Sequence, residues 1–438
     1  MSFQNISSTR RFAVIGPRKG ANYVVDGVDD DVQIRQCIAD GHKSIFFQDH
    51  EYGFDRFIDL TGYKDITFLG QSKNCSFYVQ ETSLSNFGFT YLFQGSGENI
   101  KFENLHIAGK YSEYTNPSEN LAGGISMGKG YTVTNCLFSD PNYFGLWINS
   151  LTQDATISYN RFTGPGRGND HIGGGITDGS TFPSNIHIYE NVWETSISGN
   201  AFNNTGGRHY WIHHNYNYSD RSFYLEAMYD MHVHNNHMEG GNIIASSDKN
   251  YHQGEIRNSN NIHIYANNLE GGYVQYAVEN DDPSNPGGVG GALRSATVGG
   301  NVTIKNNVFN NSALWAILVS ANGYDKNSWG KGVSISDNII TNANADNNNS
   351  VNIGVGVIDT AGINISHADI ATINNNIIID NRTTKLLQYG VCIGHDSATT
   401  VDTTPTNIFV NNNITSVLLQ ATHTQGTTII TQSDNLNV

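Results

Sequence analysis

One short motif recurs nine times in this chain: an apolar residue, any residue, Ile or Val, two residues, then Asn. It reads ATISYN to Asn160, IHIYEN to Asn191, YWIHHN to Asn215, MHVHNN to Asn236 and IHIYAN to Asn267. It continues as VTIKNN to Asn307, VSISDN to Asn338, ATINNN to Asn376 and IFVNNN to Asn413. Successive gaps are 31, 24, 21, 31, 40, 31, 38 and 37 residues. Apolar residues two apart face one side of a strand, and the run is too short for a helix. Ile and Val favour the pleated surface. The Asn marks the corner, since Asn tolerates left-handed backbone and bonds its own turn. One coil cannot bury its apolar face alone. Coils stacked about 4.8 Å apart do so, with the Asn side chains in an internal hydrogen-bonded ladder. The variable gaps mean that strands keep their length while loops swell. The pattern predicts an all-β chain folded as a single-stranded right-handed parallel β-helix.

Between the Asn corners lies a second strand series: YFGLWIN (143–149), GGGITDG (173–179), SFYLEAM (222–228), NIIASSD (242–248), VQYAVEN (274–280), LWAILVS (314–320), IGVGVID (353–359) and VCIGHD (391–396). This series is the expected functional face. Near the start, Ile34, Cys37 and Ile38 share one helical face behind a run of acidic residues, which predicts a helix over 29–41 that caps the open end of the solenoid. The expected organisation is an N-terminal segment 1–28, this helix, and a solenoid over 42–438.

The net charge of −16 lacks the basic footprint of a nucleic-acid binder and disfavours anionic membranes. A local basic cleft can still receive an acidic polymer. Cys37, Cys75, Cys136 and Cys392 are widely spaced, so neither a zinc site nor a disulfide framework is expected, and each reads as a small buried residue. No cofactor and no metal are expected. The first residues lack the apolar core of a signal peptide, and no stretch reaches the length of a membrane span.

The opening YVVDGVDDDVQIRQCIADG, followed by IDLTGYKDITFLGQ, resembles the start of pectate-lyase-like β-helix proteins, which include polysaccharide lyases, glycoside hydrolases, mannuronan epimerases and phage tailspikes. The resemblance covers the whole architecture and implies a polysaccharide partner. Its tailspike branch further implies a virion or extracellular location and a homotrimer. Motifs that would fix one activity are missing. The polygalacturonase set of N-T-D, D-D and G-H-G is absent apart from the fragment Gly394-His395-Asp396, and so is the D-P-H-E of mannuronan epimerases.

Site residues therefore rest on register alone. Aligned at its last apolar residue, the second series brings Asp178, Glu226, Asp248 and Glu279 to one flank of the middle coils. Glycoside hydrolysis needs one carboxylic acid for the leaving oxygen and a second as base or nucleophile. Glu226 and Glu279, read as two coils or roughly 9.6 Å apart, are near the spacing of inverting enzymes. The same acids also fit a solvated outer face. A lyase or epimerase would need cations against a uronate. His209, Arg221, Lys249 and Arg257 are the candidates, equally compatible with loop salt bridges. Trp147, Trp211, Tyr224 and Tyr276 are candidate sugar platforms, although about half of such aromatics should point inward. His187, His232 and His263, with Trp211 between them, read as a stacked ladder. A third reading is a fibre that binds glycan without cutting it.

Overall fold

The computed structural model describes every residue except 1–11, 19, 88–89, 116–122, 142, 165–169, 176–180, 195–198, 248–254, 257, 280–294, 297–298, 323–330, 349, 353–356, 367, 369, 395–407, 416, 418–419, 425–429, 433–434 and 438. The large sheet is all-parallel and the chain is a right-handed parallel β-helix. One antiparallel pair, Ser350–Asn352 with Val357–Asp359, stands outside it. The chain forms two compact units, 1–173 with 197–199, and 174–196 with 200–438. Among the described residues no helix is long and apolar enough to cross a membrane.

In the first unit, strand pairing starts earlier than the sequence pattern suggests. Phe12–Gly16 pairs with Ser44–Phe47 ahead of the helix, because Ala13 and Ile15 already supply an inward face. The helix spans Asp31–Ala39 and buries Ile34, Cys37 and Ile38. All four cysteines are buried free thiols. The core is aromatic: Phe68 stacks on Phe102 at 5.1 Å and Phe138 on Phe162 at 5.0 Å, one ring per coil. Each such burial contributes on the order of 2–3 kcal/mol.

The second unit holds the Asn ladder. Each rung's Nδ2 donates to the next rung's Oδ1 at 2.8–3.0 Å, from Asn191 through Asn215, Asn236, Asn267, Asn307, Asn338 and Asn376 to Asn412. From Asn215 to Asn376 each rung also binds across to a carbonyl of the preceding coil, as Asn267 does to Val233 at 2.9 Å. Two details differ from the sequence reading. The last rung is Asn412, not Asn413, because the final corner is one residue tighter and Asn413 pairs with Ile377. The left-handed backbone belongs to the residue before each corner Asn from Asn160 to Asn376: Tyr159, Glu190, His214, Asn235, Ala266, Asn306, Asp337 and Asn375 all have positive φ. The ladder Asn is selected for its buried amide, and the strained turn is left to its neighbour. In the first unit Asn160 serves the same turn, accepting from the Cys136 amide at 2.8 Å.

Three strand columns repeat in the second unit. The first contains Ile243–Ser246, Val274–Glu279 and Ile317–Asn322, together with the leading halves of Phe202–His213 and Phe223–His234. The second carries the residues that precede the Asn corners, and the third follows those corners. Long connections join the first column to the second, between Ser246 and Asn260 and between Glu279 and Gly300, and the third column to the first, between Thr341 and Ala361.

Candidate active site

Alternation along Phe223–His234 turns Phe223 and Leu225 inward and Tyr224 and Glu226 outward. Register then sets two outward rows on the first column. One runs Asn203, Tyr224, Ile244, Gln275, Leu318, and the other starts Thr205, Glu226, Ser246. Glu226 is half-buried at the centre of the second row. The Thr205 hydroxyl donates to its Oε2 at 2.7 Å. On the adjoining strand the Ser246 Oγ is buried beside the Tyr224 hydroxyl. Burial raises the Tyr224 phenol above its ordinary range. Ser246 beside it works the other way, and the Glu226 charge adds to the rise. The phenol thus stays protonated and can donate to an oxygen.

The residue after Glu226 is strained. Ala227 is fully buried with φ 51°, a left-handed conformation that costs a non-glycine residue about 1 kcal/mol. The equivalent residue of the preceding coil is Gly206, with φ 74°. Ala227→Gly should therefore raise the thermal midpoint, with a net gain of at most about 1 kcal/mol after glycine's extra chain entropy. A lowered midpoint on differential scanning calorimetry would show that the Ala227 methyl packs too well to give up.

Of the other expected site residues, few converge on Glu226. Glu279 lies opposite Asn322, and the register partner of Glu226 two coils on is Ala277. Glu279 therefore lies two residues further along its strand than the alignment at the last apolar residue suggests, because Val278 adds one more inward position. The Glu279 side chain, Asp178, Asp248, Lys249 and Arg257 lie outside the described residues. Tyr276 is fully buried and its hydroxyl donates to the Ser259 carbonyl at 2.9 Å, so it is a core residue, not a sugar platform. Arg221 pairs with Asp220 at 3.2 Å and stands five residues before Glu226, about 16 Å along the strand. His209 sits at the corner, 2.5 Å from Asp230. Among the described residues of the expected set, only Tyr224 joins Glu226. Thr205 was missed, since a lone hydroxyl in a polar chain carries no pattern, whereas the alignment of the second series already set Ser246 next to Glu226.

The second column carries two rows of stacked rings. His187, Trp211, His232 and His263 form one, with centroids 4.6, 6.1 and 4.8 Å apart. Tyr189, His213, His234 and Tyr265 form the other, at 5.2, 4.9 and 4.7 Å. The expected ladder is present. Its geometry also corrects the expectation for Trp211, whose two faces are covered by His187 and His232, leaving only an edge for a ligand. Burial pushes His234 down to about 4, with His213, His214 and His232 adding to the effect. His187, His213 and His263 are lowered as well, chiefly by burial. The folded chain keeps these rings neutral, whereas an unfolded chain protonates them near pH 6.5. The unfolded state thus binds more protons below about pH 6.5, and stability falls as pH falls from there to about 4. His234→Tyr, which matches its row, should shrink the loss of thermal midpoint between about pH 7 and pH 4.5. An unchanged loss would refute a role for this ring.

In the first unit Trp147 faces outward beside Tyr91 at 6.3 Å and Phe144 at 4.7 Å. Glycines make room for this cluster: a Cβ on Gly123 would fall 2.3 Å from the Tyr91 ring, and one on Gly173 2.3 Å from the Phe144 ring.

No protein-family model matches the sequence, and no curated protein is similar to it in sequence. Solved structures are similar in fold. The catalytic unit of a thermostable GH87 α-1,3-glucanase from Streptomyces thermodiastaticus superposes with TM-score 0.60 at 14% identity, over 96% of this chain and 70% of that one. The catalytic domain of a GH87 α-1,3-glucanase in complex with tetrasaccharides gives TM-score 0.53 at 10% identity, over 99% and 70%. The A-module of the Azotobacter vinelandii mannuronan C-5 epimerase AlgE6 gives TM-score 0.44 at 12% identity, over 94% and 98%, a likeness too slight to build on. The chain thus has the right-handed parallel β-helix fold that polysaccharide-processing enzymes use.

Proposed function

We propose that this protein hydrolyses a polysaccharide bound across the first strand column, with Glu226 as general acid or base. The observation that carries this reading is the half-buried Glu226 carboxylate, fixed by the Thr205 hydroxyl at 2.7 Å on an outward row. Tyr224 and Ser246 supply hydroxyl groups on either side. Protonation of a leaving oxygen needs such a positioned acid. A second carboxylate would come from Glu279, Asp178 or Asp248. Glu279 lies two coils and two residues from Glu226, a Cα separation of about 12 Å. GH87 α-1,3-glucanases carry oligosaccharides on a similar fold, which favours a glycan of that kind as the first substrate to try. The test is incubation with α-1,3-glucan and a panel of capsular, algal and plant polysaccharides, following reducing ends and unsaturated-uronate absorbance together. New ends without absorbance are expected. Ends that rise with absorbance would mean elimination, and binding without new ends would mean a glycan-binding fibre.

A further inference from the structure

A cleft of about 470 Å³ lies wholly within the first unit, on its third strand column. Glu51, Ser76 and His106 form one outward row across three successive strands; on the next strand that row continues at Leu137, and Ser139 lies two residues further along, opposite Ala108. Four strands span about 14 Å at ordinary spacing. The centre is a close polar pair, His106 Nε2 and Ser139 Oγ, 2.6 Å apart. Burial holds His106 down to about 4, so the ring is neutral and can both accept and donate. The rim is mixed in charge. Lys110 sits 3.4 Å from Glu51, 3.7 Å from Glu113 and 3.9 Å above the Tyr78 ring. Lys73 bonds Asn135 at 3.2 Å on another part of the rim. Asp140 is tied by Ser112 through one oxygen, while its Oδ1 is buried and takes no hydrogen bond among the described residues. Lys110 and Asp140 both hold left-handed backbone without being glycine, at φ 52° and 46°. Strain of this kind gathers at ligand clamps.

The chemistry of the lining selects the ligand. Acids outnumber lysines, and the lysines are already engaged, so a free anion meets repulsion. The Tyr78 face is covered by Lys110, so stacking is closed off. What remains is a strip of alternating donors and acceptors, which suits hydroxyl groups that do both. We infer that this cleft is a second saccharide-binding site, which holds two or three units of a neutral glycan by hydrogen bonds centred on His106 and Ser139. The inference rests on the reading that the chain works on a polysaccharide. Such a site would retain polymer between cuts and lower KM for long chains.

The test is NMR of the ¹⁵N-histidine-labelled Glu226→Gln protein, titrated with glucan tetrasaccharides of α-1,3 and other linkages and with an oligouronate of equal length. The His106 ring signals should shift with a neutral glucan, saturating at an affinity on the order of 1 mM, and stay still with the oligouronate. Glu51→Gln, a change on the exposed rim that spares the fold, should weaken that binding several-fold, and His106→Ala should raise KM on polymer. His106 signals that move with no neutral glucan, or only with the oligouronate, overturn the inference. If cleavage is lost in Glu226→Gln while His106 stays silent, this site fails and the catalytic reading stands. If His106 responds while cleavage survives Glu226→Gln, the catalytic reading fails and this site stands.

Discussion

Glu226→Gln is expected to lower polysaccharide cleavage by at least about a thousandfold, since it removes the proton that the reaction needs and leaves the rest of the site in place. The substitution is nearly isosteric. The amide oxygen can still accept from the Thr205 hydroxyl, so the thermal midpoint should stay close to that of the parent. Thr205→Val should cost less, about tenfold, because it loosens the carboxylate without removing it. Circular dichroism and a reducing-end assay on the same samples would separate lost chemistry from lost fold. A Glu226→Gln protein that retains more than about a tenth of the parent rate would rule out Glu226 as acid or base.

Asn267→Leu is expected to destabilise the chain by about 3–5 kcal/mol, enough to prevent folding if the margin is ordinary. Asn267 Oδ1 accepts from both the backbone amide and the Nδ2 of Asn236, at 3.0 and 2.9 Å. Its Nδ2 reaches the Val233 carbonyl and the Asn307 Oδ1. Leucine has similar volume but leaves these buried groups without partners, and the low local dielectric makes each one costly. Urea denaturation would measure the loss, and hydrogen exchange would show it first at the Asn236 amide. A loss below about 1 kcal/mol would mean that the ladder is incidental to stability.

The solenoid could be read from sequence because its constraint is repeated and apolar. Ile186 and Ile188, Ile212, Met231 and Val233, and Ile262 and Ile264 must all face inward, so one pattern fixes many strands. The ladder was legible for the same reason, apart from its last corner. Outward rows obey no such rule. Nothing in the letters sets Thr205 beside Glu226. Aligning strands by their last apolar residue moved Glu279 two residues along, since Val278 points inward where its neighbours have already ended. The paired rings were visible because histidine recurs at one offset, but sequence could not show that stacking hides the faces of Trp211. The cleft around His106 left no trace in the pattern, because it is built from single residues of four different coils.

A crystal structure of the Glu226→Gln protein with a bound oligosaccharide would test the catalytic role of this column most directly. Sugar is expected to lie across Asn203–Thr205, Tyr224–Glu226 and Ile244–Ser246, with a glycosidic oxygen within hydrogen-bond reach of residue 226. Sugar bound only against the stacked rings of the second column, with nothing near residue 226, would contradict it.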